Sequence, residues 1–383
     1  MEVVSTPLKA ENFMSADDGE DYRRNGMNSF SFEALMKDVR SKTRSYNGAK
    51  SELWTLINFL KKHETLSIPD RRRLLAEAYS PLSVKDIRPR FAMDLEQYKI
   101  GVSFRSSLAH TRLWKKSLKK QGAFIAPGGN SKSDDRKFAK QLGVPVPEVF
   151  AENEHAEEIM LRPRTVLKPE HGSASNGVFY IDEDRSLFSF SSFCKYETVT
   201  EALSEVKSKK LRNSPVWKLE QAITSSDGEL AHDFKVWAFY GRLGVVQEIK
   251  RNPVKNGVNE YFYHRPTGGE FRMNGARKRL DTEGFPADIL VYAQKISRAS
   301  PVPFLRIDFL AADENVFLGE ITPHPGGTYA GQLFDEADKE LGEMFYEAEA
   351  RLYLDLLKGK KFPEFFGCYD CGLDLGNREE KFD

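Results

Sequence analysis

Cysteine is scarce: Cys194, Cys368 and Cys371 are the only three in 383 residues. Three thiols cannot build a disulfide framework, and so low a count suits a reducing compartment. Cys368 and Cys371 form a CYDC pair near the tail that could contribute to a metal site, yet no second Cys or His pair stands at structural-zinc spacing. Long apolar runs are missing too. Nowhere do about 18 apolar residues follow one another, and the opening MEVVSTPLKAENFMSADDGEDYRR has no apolar stretch behind a basic start, so neither a membrane span nor a signal peptide is expected. A surplus of one charge is the third absence, since Lys plus Arg and Asp plus Glu both number 57. Nothing draws such a chain onto phosphate backbones or anionic lipid, and nucleic acid is a poor partner for it. A cytoplasmic location is the expectation that follows.

What remains is an ordinary globular composition, 40% hydrophobic and 30% charged, long enough to bury a sizeable core in two or three lobes. Residues 1–30 are rich in small and polar groups and predict a mobile arm. Residues 31–120 read as helical: Leu53, Leu56, Ile57 and Leu60 share one stripe, and DRRRLLAEAYSPLSVKDI reads as a helix stopped near Pro81. In 121–160, GAFIAPGGNSKSDDRKFAKQLGVPVPEVF predicts a short strand, a Gly-rich break, a capped helix and a strand at Pro147 to Phe150. From 160 to 325 short β-branched and aromatic runs (TVLKP, GVFYI, WKLEQAI, FKVWAFY, GVVQEIK) predict mainly β-sheet. Two hairpins are expected, one turning at Gly241 to Gly244 and one at Ala312 to Asn315. EADKELGEMFYEAEARLYLDLL closes the chain as an amphipathic helix.

The second hairpin, LRIDFLAADENVFLGEIT, is the most informative segment. With its turn centred near residue 313 and no bulge, Arg306, Asp308, Leu318, Glu320 and Thr322 share one face, Arg306 lies opposite Glu320, and Asp308 and Glu320 are diagonal neighbours roughly 7–8 Å apart. Their carboxylates could then converge on one or two Mg²⁺ ions, which prefer hard oxygen ligands. A solvated hairpin face with an Arg–Glu pair would read the same way.

Upstream, Thr165-Val-Leu-Lys-Pro ends a strand in Lys168, followed by a small-residue loop, His171, Gly172, Ser173, Ala174, Ser175 and Asn176 to Gly177. Gly and Ser let backbone N–H groups approach phosphates while a lysine adds a point charge, although a plain hairpin turn has the same composition. It is not a Walker A motif, because no GKS or GKT opens a helix. Glu220, Gln221, Ala222 and Ile223 end a strand whose backbone could pair with an adenine edge, or which could simply be core. Lys235 points away from Phe234 and Val236, and Lys250 and Arg251 end the next strand. Basic groups for phosphates and carboxylates for their metal form the set that phosphoryl transfer requires.

DDRKFAKQLGVPVPEVF, TVLKPEHGSASNGVFYI, WKLEQAI, DFKVWAFYGR and above all RIDFLAADENVFLGEITPHPGG, in that order, resemble the ATP-grasp superfamily, and within it the teichuronopeptide-biosynthesis (TupA-like) branch, over about 130 to 345. The resemblance implies an α+β ATP-grasp fold with two lobes clasping ATP, a small one at 161–225 and a large one with the Mg²⁺ site at 226–360, behind a helical extension and before a tail at 361–383. It implies that Lys168 contacts ATP phosphates and the 172–177 loop covers them. Glu220 to Ile223 would be the adenine hinge, Lys235 would sit near the γ-phosphate, and Asp308 and Glu320 would bind Mg²⁺. Arg306 and Arg251 are candidates for holding the transferring phosphate or substrate carboxylate. Thr322 stands where many relatives place an Asn metal ligand, and its hydroxyl could serve directly or through water. His324 in ITPHPGG could approach substrate or be a turn histidine.

The activity that the resemblance implies is ligation of a small-molecule carboxylate (an amino acid, peptide or uronic acid) to an amine through an acyl phosphate, with ATP and Mg²⁺, and the setting it implies is the synthesis of cell-envelope polymers or peptide natural products. Phosphorylation of an alcohol or sugar, and nucleotide binding without turnover, use the same residues and stay open.

Overall fold

The computed structural model describes residues 32–63, 65–79, 81–82, 102–123, 132–170, 176–206, 216–251, 259–273, 279–282, 284–325 and 333–372. The predicted arm at 1–30, most of the GAFIA strand and residues 171–175 lie outside them. The chain forms two compact units that divide between Gly101 and Val102.

In the first unit, α1 (Phe32–Lys62) pairs with α2 (Ile68–Tyr79). Ser67 caps α2, accepting from the Asp70 N–H at 3.2 Å. Ile57, Leu60, Leu75, Ala78, Tyr79 and Leu82 close a small core. Leu56, predicted on the same stripe as Ile57, is 45% exposed. Trp54 takes that flank instead, meeting Tyr79 edge-on at 6.1 Å.

The second unit holds two antiparallel sheets. The first runs β1 (Val149–Glu154), β6 (Trp217–Gln221), β2 (Thr165–Pro169), β3 (Phe179–Ile181), β4 (Leu187–Ser189), β5 (Lys195–Tyr196) in spatial order. Alternation sorts its faces. Leu167, Phe179, Ile181, Leu187, Trp217 and Leu219 form a core with Ala202 and Leu203 of α5 (Val199–Ser204), a helix opened by a Thr198–Glu201 capping box. Lys168, Lys218 and Glu220 lie on the other parity.

The second sheet is ordered β11 (Asn315–Thr322), β10 (Leu305–Ala312), β7 (His232–Phe239), β8 (Arg242–Lys250), β9 (Glu260–His264). Its first hairpin turns more tightly than expected. β8 already begins at Arg242, so Tyr240 and Gly241, with φ of 42° and 84°, make a two-residue turn of the kind that matches strand twist. Gly244 belongs to the strand and lies where the register shifts between Trp237 and Ala238; a Cβ there would stand 2.7 Å from the Phe239 ring.

Helices fix this sheet in place. α6 (Asp288–Arg298) packs on β7, β8 and β10. α3 (Phe104–Lys120) docks on α7 (Asp335–Leu357): Asp338 accepts from Ser103 Oγ at 2.6 Å and the Arg105 N–H at 2.9 Å, and a Cβ on Gly342 would stand 2.8 Å from the Ser103 and Phe104 backbone. That seats Phe104 against Trp237, ring centroids 5.2 Å apart. α4 (Lys132–Gln141) packs with α8 (Pro363–Cys368) through Phe138 and Phe365. No helix among the described residues is long and apolar enough to cross a membrane.

Candidate functional site

One row of side chains crosses the second sheet from β9 to β11: Tyr263, Gln247, Lys235, Asp308 and Glu320 are successive cross-strand partners. Asp308 and Glu320 are therefore directly opposite, not diagonal, and the partner of Arg306 is Thr322, not Glu320. The cause is a bulge. The register shifts between Asp308 and Phe309, so that Gly319 is skipped and Leu318 pairs with Phe309. Leu318, expected beside Asp308, turns with Phe309 into the core instead. Glycine suits the bulge, because a Cβ at 319 would lie 3.2 Å from the Asp308 carbonyl oxygen.

Asp308 is buried and doubly clamped. Lys235 Nζ donates to it at 2.6 Å, and Arg306, two residues earlier on the same strand face, donates through Nε and Nη2 at 2.7 and 2.8 Å. Burial alone would raise the pKa of this carboxyl, but Lys235 and Arg306 hold it below the usual carboxylate range. Glu320 is half-buried and has no hydrogen bond or ion pair among the described residues, leaving its oxygens to accept. Two hard carboxylates side by side on one face, one of them unpartnered, suit a divalent cation such as Mg²⁺ whose remaining ligands come from phosphate and water. Among the described residues no cluster of three or more Asp, Glu, His or Cys forms a self-sufficient metal cage. The Thr322 hydroxyl lies 3.0 Å from the His324 carbonyl, to which it can donate while its lone pairs remain.

On the first sheet Lys168 stands directly across from Lys218. Two adjacent ammonium groups repel, and carboxylates offset them: Glu220 is ion-paired to Lys168, and Lys218, 1% exposed, lies 3.5 Å from both Glu170 and Glu220. Burial, with Lys168 adding to it, brings Lys218 down to about 8. For Glu220, burial pushes the other way and the two lysines overcome it, holding it below the usual carboxylate range.

Lys132, the first residue of α4, joins the two sheets electrostatically. Its ammonium lies within the fields of Lys168, Glu220 and Glu170 on one sheet and Glu320 on the other, and its pKa is lowered, chiefly by burial and next by Lys168. Its helix is anchored to both sides. The Ser133 N–H donates to Glu170 at 2.8 Å, and buried Asp135 accepts from the Ile321 N–H of β11 at 3.1 Å and from the Tyr369 hydroxyl at 2.7 Å.

Other residues singled out from the sequence distribute as follows. His171, Gly172, Ser173, Ala174 and Ser175 lie outside the described residues. Gly177, which ends that loop, has φ of 78°, and a Cβ there would press on Pro169 and the Trp217 ring at 3.3 Å. In the hinge, the Gln221 N–H donates to Glu148, the Ala222 N–H to Arg164, and the Ile223 carbonyl accepts from Ala231; part of this backbone already serves the fold. Arg251 follows the end of β8, four residues or roughly 13 Å along the strand from Gln247, and is ion-paired to Asp233 rather than joined to the Asp308 cluster. His324 follows β11 with a buried, unpartnered Nδ1. Burial first, and then Lys115 and Arg112, pull it down to about 4, so it is neutral at neutral pH.

Lys132, Lys218, Glu170 and Asp135 escaped the reading of the sequence. Lys218 had a usable signal, because it alternates with Glu220 in WKLEQ and so shares its face. The other three act through partners far away in sequence, Lys132 on Lys168, Glu170 on Ser133 and Asp135 on Ile321 among them.

Residues 130–346 match a family model described as TupA-like ATPgrasp. No curated protein matches the chain. Among solved structures it is similar to D-alanine–D-alanine ligase from Bacillus anthracis at 14% identity, over 63% of this chain and 76% of that one, with a TM-score of 0.38. The corresponding ligase from Helicobacter pylori gives 16%, 60%, 64% and 0.36, and the ATP-grasp ligase PsnB complexed with minimal precursor gives 12%, 69%, 75% and 0.31. The family match spans more than half of the sequence and contains Lys132, Lys168, Glu220, Lys235, Arg306, Asp308 and Glu320, and on that match the chain belongs to the TupA-like ATP-grasp family.

Proposed function

We propose that the chain is an ATP-dependent carboxylate–amine ligase that activates a small-molecule carboxylate as an acyl phosphate. The observation that carries this reading is the direct pairing of Asp308 with Glu320, flanked by Lys235 and Arg306. Asp308 and Glu320 would hold Mg²⁺, with Thr322 close by, and the ion would supply charge neutralisation for the phosphates of the nucleotide. Lys168, with Gly177 ending its loop, holds the α- and β-phosphates, while Lys132 and Lys218 add positive potential. Glu220 to Ile223 receive the adenine. As the nucleotide enters, Lys235 and Arg306 transfer part of their hydrogen bonding from Asp308 to the γ-phosphate and the substrate carboxylate, which frees carboxylate lone pairs. Arg251, ion-paired to Asp233, is the candidate for holding substrate farther along the sheet once that pair opens.

In the reaction a substrate carboxylate oxygen attacks the γ-phosphorus, the bond to the bridging oxygen breaks, and ADP leaves with that electron pair. An amine then attacks the acyl carbon, the carbon–oxygen bond to phosphate breaks, and the amine proton passes to solvent or phosphate. Lysine and arginine charges stabilise the transferring group, and excluding water protects the acyl phosphate. The test is a substrate carboxylate labelled with oxygen-18. Ligation through an acyl phosphate carries one labelled oxygen into inorganic phosphate, whereas ADP formed with unlabelled phosphate, or with a phosphorylated alcohol, contradicts the proposal. A role in cell-envelope polymer or peptide natural-product synthesis belongs to this proposal as its broader setting.

A further inference from the structure

Far from that row, the turn between β7 and β8 forms one wall of an open cavity of about 530 Å³, lined by Tyr240, Gly241, Arg242, Val291, Gln294, Lys295, Arg298 and Arg351. Tyr240 is five residues beyond Lys235, roughly 17 Å along an extended strand, so this cavity is separate from the Asp308 cluster. Four cations converge on it from three elements: Arg242 from β8, Lys295 and Arg298 from α6, and Arg351 from α7. Their compensation is incomplete. Glu347 is shared, ion-paired to Arg242 and 3.5 Å from Arg351. Asp355 is already occupied by the Tyr240 hydroxyl at 2.7 Å and Lys360 at 3.5 Å. Among the described residues neither Lys295 nor Arg298 forms an ion pair: Arg298 lies 5.4 Å over the Tyr240 ring and within the field of the already occupied Asp355, and Lys295 lies 5.9 Å from the Tyr292 ring.

The cavity is built into the fold. Gly241 lacks the Cβ that would otherwise collide with Arg298 Cδ at 2.1 Å, so the arginine stem lies flat over the turn. Gln294 and Ser297 of α6 bind the Gly241 backbone at 3.0 Å each. Arg351 donates to the Phe239 carbonyl at 2.8 Å, which fixes its fork, yet its Nε is buried with no partner. A helix C-terminus welcomes basic residues, which accounts for Lys295 and Arg298 as charges on α6. It does not account for Arg242 and Arg351 being brought against them: burial, and then Arg242 ahead of Arg298, lower the Arg351 pKa. Such a like-charge arrangement is relieved by an anion.

We infer that this cavity is a second ligand site, taking a small soluble molecule with a phosphate or diphosphate group. Guanidinium forks match phosphate oxygens two at a time, and the concave shape with Tyr240 and Val291 in its wall fits a compact molecule better than an extended phosphate backbone.

The test uses the full chain saturated with Mg²⁺ and a non-hydrolysable ATP analogue, titrated with inorganic pyrophosphate against chloride at equal ionic strength, read by calorimetry and by melting temperature. Pyrophosphate should bind and raise the melting temperature where chloride does not. The double variant Lys295→Gln, Arg298→Gln, altered at exposed charges, should weaken that binding roughly tenfold or more while leaving ATP turnover without pyrophosphate unchanged. Arg298→Lys, which keeps the charge and loses the fork, should fall between. Lys168→Ala should leave pyrophosphate binding in place. The inference is overturned by no response beyond that to chloride, by unaltered affinity in the double variant, or by loss of binding in Lys168→Ala, which would locate the anion at the nucleotide site.

Discussion

Asp308 and Glu320 differ in what else depends on their charge. Asp308 neutralises Lys235 and Arg306 in a buried cluster, so Asp308→Asn should cost about 3–5 kcal/mol of stability as well as turnover, because two cations lose their counter-charge. Glu320 supports no such pair. Glu320→Gln should shift stability by less than about 1 kcal/mol while removing Mg²⁺-dependent turnover, a contrast readable by chemical denaturation beside an ADP assay. Lys132→Ala should raise the KM for Mg-ATP about tenfold, consistent with losing one charged contact to phosphate, and an unchanged KM would remove Lys132 from the site. A fourth residue governs acid stability. Glu248 is buried on the opposite parity from Gln247 and accepts hydrogen bonds from His232 at 2.7 Å, His264 at 2.8 Å and Thr282 at 2.6 Å. Burial opposes ionisation, but these donors hold the carboxyl at about 2 against an ordinary 4.5. Its folded value is depressed, so its contribution of about 3 kcal/mol is complete above about pH 4.5 and lost as pH falls towards 2. Glu248→Gln should lower stability at pH 7 and flatten that acid limb in pH-dependent unfolding.

At the scale of elements, alternation along LRIDFL and VFLGEIT was enough to place Arg306, Asp308, Glu320 and Thr322 on one face, since a strand offers only two. It was not enough to set their register. A bulge at Gly319 leaves no mark in a hydrophobic pattern beyond the glycine itself, and it changed the Asp308–Glu320 relation from diagonal to direct while sending Leu318 into the core. Gly319→Ala should therefore act on geometry, lowering kcat more than melting temperature, because the added methyl must push on the Asp308 carbonyl. The turn at Tyr240–Gly241 was misplaced for a related reason: Gly241 and Gly244 are both plausible turn glycines, and only the first has a left-handed backbone. The helix stripe of α1 was legible, but not its exact rotation, which Trp54 decides through Tyr79.

At the scale of the whole molecule, individual strands and helices were legible because short β runs and caps are local signals, while the α+β ATP-grasp fold came from the resemblance of the ordered motifs, RIDFLAADENVFLGEITPHPGG above all, to that superfamily. The long-range supports were not legible. Asp135 reaches Ile321 across 186 residues, and no periodicity links the two. All of the phosphate and metal candidates lie in the unit that begins at Val102. A chain starting there should retain Mg-ATP binding, measurable by calorimetry; its loss with the fold intact would give residues before 102 a part in the site.

The central claim, carboxylate activation at the Asp308–Glu320 pair, is tested most directly by incubating wild type and Glu320→Gln with ATP, Mg²⁺ and hydroxylamine across amino acids, short peptides and uronic acids, measuring ADP and hydroxamate together. The account predicts matching ADP and hydroxamate from wild type with at least one donor, and neither from the variant. Phosphorylated alcohol without hydroxamate, or undiminished turnover in Glu320→Gln, would contradict it.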